Sequence, residues 1–167
     1  KTRLCELVDG VLVEKTTGFT ESYIASFLLT VVFEFVRSRN LGLVTGMDGC
    51  IRPFPGQVRI PDVAYVSWNR IPGRSFPKKP IPDLVPDLAV EVLSISNTRG
   101  EMTRKLQDYF DAGCRVVWYV DPVTETIHVH RALNSVVVLG RKDVIDGGDL
   151  LPGLSIKLED IFSEPAP

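Results

Sequence analysis

The chain has 167 residues, 44% of them apolar and 24% charged, with a net charge of −2. That length suits one domain with a substantial core rather than two, and the near-neutral balance gives no overall electrostatic footprint for nucleic acid. Three widely spaced cysteines (Cys5, Cys50, Cys114) with no Cys-x-x-Cys pair argue against a disulfide framework or zinc site and fit a reducing cytoplasm, the expected location.

In chain order, "ELVDGVLVEK" (6–15) places two short alternating runs around Asp9-Gly10, a strong hairpin signal. A helix is expected over 20–38, with Thr20 as N-cap and Glu21 in its first turn. Ile24, Phe27, Leu28, Val31, Val32, Phe35 and Val36 keep a helical period, and "NLG" supplies the stop. Thr30 and Glu34 break its apolar run, so no stretch is expected to approach a membrane span. Strands are expected in "LVTG", "CIRPF" and "VRIPDVAYVS", then a proline-rich loop over 69–84. A further strand covers 86–94, and a helix runs from about 101 to a stop at Gly113. "RVVWYVDP", "TIHVHR" and "SVVVLG" read as strands, and "LPGLSIKLEDIF" as a short strand and a helical turn. One mixed α/β domain, 1–167, is the expected architecture.

Glu91 lies inside "DLAVEVL", a run that reads as buried on both faces, so its carboxylate should be neutralised or hold something positive. Three aspartates follow a proline: Asp62, Asp83 and Asp87. Asp87 shares a strand face with Glu91 but stands about 13 Å away at roughly 3.3 Å per residue, too far for one ion. Asp83 falls in the loop. Asp62 heads "DVAYV", which can pair beside 86–94 at about 4.8 Å and bring the two carboxylates together. Asp62 and Glu91 are therefore the expected metal ligands. Leu93 stands where a strand lysine would be useful, so the cation is sought on the next helix. Lys105 is chosen there, four residues from Tyr109 on the same face. The plainer alternatives are a structural Glu91, a solvated Lys105 and a Tyr109 that only packs. His128 and His130 read as a solvent-facing hairpin pair. Arg70, Arg74, Lys78 and Lys79 in "NRIPGRSFPKK" form a basic loop that could touch DNA phosphates.

The ordered set Pro-Asp, Glu-Val-Leu-Ser, Lys-x-x-x-Tyr, Ala-Gly and Trp-x-x-Asp-Pro, with the opening hairpin, resembles the Uma-type family of restriction endonucleases, a branch of the PD-(D/E)xK phosphodiesterase superfamily. The likeness covers nearly the whole chain. It implies a restriction-endonuclease-like core, a central mixed sheet flanked by helices, and Mg²⁺- or Mn²⁺-dependent hydrolysis of DNA. Carried over by position, Asp62 and Glu91 would hold metal and Lys105 would act in catalysis. Glu21 stands about where many relatives have a histidine or acid. The expected partner is DNA, with no membrane and with a homodimer as a further assembly to consider. The competing functions are a non-catalytic nucleic-acid-binding or regulatory module on the same fold, and an interaction protein. Without metal, the two carboxylates are expected to repel each other.

Overall fold

The computed structural model describes residues 4–164. The first hairpin pairs β1 (Cys5–Val8) with β2 (Val11–Glu14). Its two-residue turn has Asp9 at φ 51° and Gly10 at φ 80°. Two successive positive φ values match the twist of the strands. β1 also meets β5 (Gln57–Arg59), which pairs with β4 (Ile51–Phe54), giving a small sheet in the order β2-β1-β5-β4.

The larger sheet contains β3 (Gly42–Thr45), β6 (Val63–Ser67), β7 (Leu88–Val92), β8 (Val116–Asp121), β9 (Thr126–Ala132) and β10 (Ser135–Leu139). Its order is β10-β9-β8-β7-β6-β3. Only β7 and β8 are parallel within it. A parallel pair needs a crossover, and α2 (Arg99–Asp111) supplies it. This is the expected mixed sheet flanked by helices.

The two faces of the sheet are covered by different helices. α1 (Phe19–Ser38) buries Ile24, Ala25, Leu28, Val32 and Val36 against Leu88, Val90, Trp118 and Val120. Each Val, Leu or Ile among them, fully buried, contributes about 1.5–3 kcal/mol. α2 packs on the opposite face, over Ala89, Val117 and Tyr119. Alternation along β7 therefore sends Leu88, Val90 and Val92 toward α1 and leaves Ala89 and Glu91 toward α2.

Local signals explain most element ends. Thr98 and Glu101 form a reciprocal capping box at the start of α2, so the helix begins earlier than the expected residue 101. At its end Gly113 has φ 93°, Cys114 N–H donates to Tyr109 O at 2.8 Å, and Gly113 N–H donates to Phe110 O at 2.9 Å. That left-handed glycine satisfies two terminal carbonyls. Asn40, at φ 52°, ends α1 in the same manner.

Four expectations need correction. The N-cap of α1 is Gly18, and Thr20 lies within the first turn. Thr30 and Glu34 interrupt the apolar run of α1 too little to keep it below the composition of a membrane span, and the Thr30 hydroxyl donates to the Ser26 carbonyl at 2.9 Å. α1 is 20 residues long and contains an 18-residue window of mean hydropathy 1.5, long and apolar enough by length and composition alone to cross a membrane. "VRIPDVAYVS" is two strands, since Pro61 has no N–H for a continuous ladder. The C-terminal region also contains β11 (Val144–Asp146), paired with β12 (Ser155–Lys157) ahead of α3 (Leu158–Phe162).

Candidate active site

β6 and β7 run antiparallel with Val63 opposite Val90. Asp62, just before Val63, therefore arrives beside Glu91, just after Val90. Asp62 N–H donates to Val90 O at 3.0 Å, and Val92 N–H donates to Asp62 Oδ2 at 2.7 Å. Those two bonds fix the aspartate against the end of β7. Asp62 and Glu91 are both buried. They line one polar cavity of about 150 Å³ with Glu6, Lys15, Glu101 and Lys105. At about 30 Å³ per water, that volume suits a few small polar groups.

α2 places its functional face over Glu91. Lys105 Nζ lies 3.2 Å from Glu91 Oε2, and Tyr109 donates its hydroxyl to Glu91 Oε1 at 2.5 Å. The four-residue spacing aligns these side chains along one face. Burial raises the Glu91 pKa; Lys105 and Lys15 oppose that, and the net shift is upward. Burial works against the Lys105 charge, but Glu91 and Glu6 outweigh it and raise its pKa. Burial, and then the Glu91 charge, pushes the Tyr109 phenol far up, so it remains a proton donor. Arg104 points elsewhere, pairing with Asp108 at 3.0 Å and Asp9 at 2.7 Å.

The N-terminal hairpin brings groups that sequence reasoning passed over. Glu6 Oε1 lies 3.2 Å from Lys105 Nζ and accepts from Ile60 N–H at 2.9 Å. Glu6 Oε2 accepts from Arg59 at 2.9 Å, and Arg59 also pairs with buried Asp108. Burial would raise the Glu6 pKa, but Lys105, the Ile60 amide and Arg59 more than reverse it. Lys15, the residue after β2, donates to the Ile60 carbonyl, and its ammonium lies 2.7 Å from Asp62 Oδ1. That last contact is one of charge, because Asp62 Oδ1 has no well-directed hydrogen bond. The Asp62 charge adds to the upward shift of Glu91, as expected of two close carboxylates, and each of the two also has its own lysine. Only the hairpin's resemblance to a family feature hinted at this role for its polar ends.

Asp62, Glu91, Lys105 and Tyr109 are therefore together. Glu21 is not among the cavity lining; its carboxylate turns back toward Gly18, at the N-terminus of α1, where the helix dipole favours it. The basic loop leaves the other end of β6, after Ser67. Arg70 Nε donates to Asp87 Oδ1 at 2.8 Å, and Lys79 donates to Asp83 at 2.8 Å. Arg74 and Lys78 are exposed and, like Arg70 and Lys79, do not line the cavity. His128 and His130 are half-buried rather than solvent-facing. They lie along a groove with Tyr119, whose ring meets that of His130 edge-on at 5.3 Å. Among the described residues no group of three His, Cys, Asp or Glu side chains is gathered in metal-binding fashion.

The donor set still suits a small hard cation. Mg²⁺ is commonly held by one or two carboxylates, with waters and substrate phosphate completing its shell. Asp62 and Glu91 supply two such carboxylates from adjoining strands, and Asp62 Oδ1 lacks a directed hydrogen bond.

A solved structure described as "a putative nuclease belonging to DUF820" from Anabaena variabilis is similar in fold. Its TM-score is 0.83 at 20% identity, covering 95% of this chain and 89% of that one. No curated protein matches. The family model Uma2, described as "Putative restriction endonuclease", matches residues 2–159, and the chain belongs to that nuclease family.

Proposed function

We propose that this chain is a Mg²⁺- or Mn²⁺-dependent endonuclease that hydrolyses DNA phosphodiester bonds at the Asp62–Glu91 cavity. The observation that carries the reading is the meeting of those two buried carboxylates on adjoining strands, with Lys105 against Glu91. The family's description supports DNA as the substrate class.

Asp62 and Glu91 would hold the metal. A bound ion would supply positive charge beside the scissile phosphate and make water a stronger nucleophile. The Val92 amide holds Asp62, and the Tyr109 hydroxyl holds Glu91, so neither carboxylate must be oriented at the moment of reaction. Lys105 stays charged through neutral pH and opposes negative charge accumulating on the phosphate. In hydrolysis the water oxygen bonds to phosphorus, one sugar oxygen leaves, and the leaving oxygen takes up a proton.

A second reading is a non-catalytic module on the same fold. The observation favouring it is that Asp62 and Glu91 are already compensated by Lys15 and Lys105. Incubation with supercoiled plasmid separates the two readings. The endonuclease should nick or linearise it with Mg²⁺ or Mn²⁺ and stop with EDTA. DNA binding without cleavage under every metal condition supports the module instead.

A further inference from the structure

Lys105 and Lys15 both neutralise the site, but they are mounted differently. Lys105 sits on a packed helix and bridges Glu91 and Glu6 at 3.2 Å to each. Its charge is shared, and its place does not depend on Asp62. Lys15 directly follows β2, a strand exposed along its length. Its ammonium is held by the Ile60 carbonyl and the Asp62 carboxylate. The Lys15 and Asp62 side chains are only 9% and 4% exposed, so water does little to screen that pair. Next to it, Thr16 reaches across to Ser96, with hydroxyl oxygens 3.2 Å apart, and both residues line the cavity.

Lys15 and a divalent ion compete for the same place. Asp62 Oδ2 already accepts from the Val92 amide, which leaves Oδ1 the less encumbered oxygen for a metal, and Lys15 lies 2.7 Å from it. An ammonium and a dication cannot both sit against one carboxylate oxygen without strong repulsion. Resting on the metal-dependent reading above, we propose that Lys15 is a displaceable counter-cation. It keeps the Asp62 site neutral and preformed until a divalent ion drives it off into the cavity. There the released ammonium would face the phosphate that the metal binds. The cost of displacement is part of the metal's apparent affinity. If the ion pair closes about nine molecules in ten, it weakens apparent affinity about tenfold.

The test is a calorimetric Mn²⁺ titration of the wild-type chain, Lys15→Met and Lys15→Gln, each first checked for a cooperative thermal melt. Glutamine can still donate to the Ile60 carbonyl, so it serves if methionine compromises folding. Removing the ammonium should tighten Mn²⁺ binding about tenfold. Binding by the variants alone, with none by the wild type, would also uphold the proposal. Equal or weaker binding by both variants overturns it while leaving the metal site standing. No binding by any of the three chains overturns the metal-dependent reading together with this one. A second readout needs no mutation. Amine acetylation of wild-type Lys15, followed by peptide mass spectrometry, should accelerate when Mn²⁺ is added, and by more than that of Lys105, which Glu6 also holds. Unchanged or slower labelling of Lys15 contradicts displacement.

Discussion

The β6–β7 pair carries a Pro-Asp at each end, and the two are used differently. At one end Asp62 follows Pro61, with one oxygen on a backbone amide and the other beside a lysine from an exposed arm. At the opposite end Asp87 follows Pro86 and has both oxygens occupied. Ser67 N–H donates to Oδ2 and Arg70 Nε to Oδ1, each at 2.8 Å, while Arg70 also holds the Gly113 carbonyl at 2.7 Å. Asp87 ties β6, β7 and the end of α2 together. A third Pro-Asp, at Asp83, is exposed and pairs with Lys79 and Arg52. The same dipeptide thus makes a candidate ligand, a structural clamp and a surface pair. The differences lie in what surrounds each carboxylate and whether its partner can leave.

That contrast can be broken most sharply at the cations. Lys105→Ala should lower turnover by roughly two to three orders of magnitude, the usual cost of losing one charge-stabilising donor. Mn²⁺ binding should persist, and Arg104→Ala should be far milder. Single-turnover cleavage with a parallel Mn²⁺ titration checks this, and the reverse ranking would move the catalytic cation off Lys105.

At the clamp the expected loss is stability. Asp87→Asn should cost about 1.5–3 kcal/mol in urea unfolding, as for hydrogen bonds to a charged group. A variant as stable as wild type would remove the structural role assigned to Asp87.

A smaller effect concerns acid. The Glu6 pKa is lowered from its ordinary 4.5, so the folded state favours its ionised form. Its contribution is present above pH 4.5 and is lost as pH falls through the lower folded value. The stability gap between wild type and Glu6→Gln should therefore shrink as pH falls below 4.5. A gap that stays constant on acid titration contradicts the assignment.

The smallest effect is expected in the basic loop. With Arg74 and Lys78 away from the cavity, the double change to glutamine should leave the salt dependence of DNA binding nearly unchanged. A slope lower by about 1.8, two phosphate contacts' worth, would bring the loop into the interface.

The parts of this molecule that the sequence announces are those governed by local chemistry. Asp9-Gly10, Asn40 and Gly113 mark turns because each takes a positive φ, and alternation along β7 places Glu91. The Asp62–Glu91 meeting was within reach because adjacent strands have a fixed spacing. Lys15 and Glu6 were not, since they reach the site through the folding of the hairpin onto residues 59–62, a contact 45 to 54 positions apart in sequence. The Thr98-x-x-Glu101 box is a local signal that starts α2 at Arg99. β11 and β12 are three residues each, too short for periodicity to show. The role of Arg70 could not be read from its loop, because its partner Asp87 belongs to the next strand.

The most direct test of the contrast between the two aspartates is plasmid cleavage in Mg²⁺ by the wild type, Asp62→Asn and Asp87→Asn, at a temperature where all three are folded. The account predicts cleavage by the wild type and by Asp87→Asn, and none by Asp62→Asn. Equal cleavage by Asp62→Asn and the wild type, or loss confined to Asp87→Asn, would contradict it.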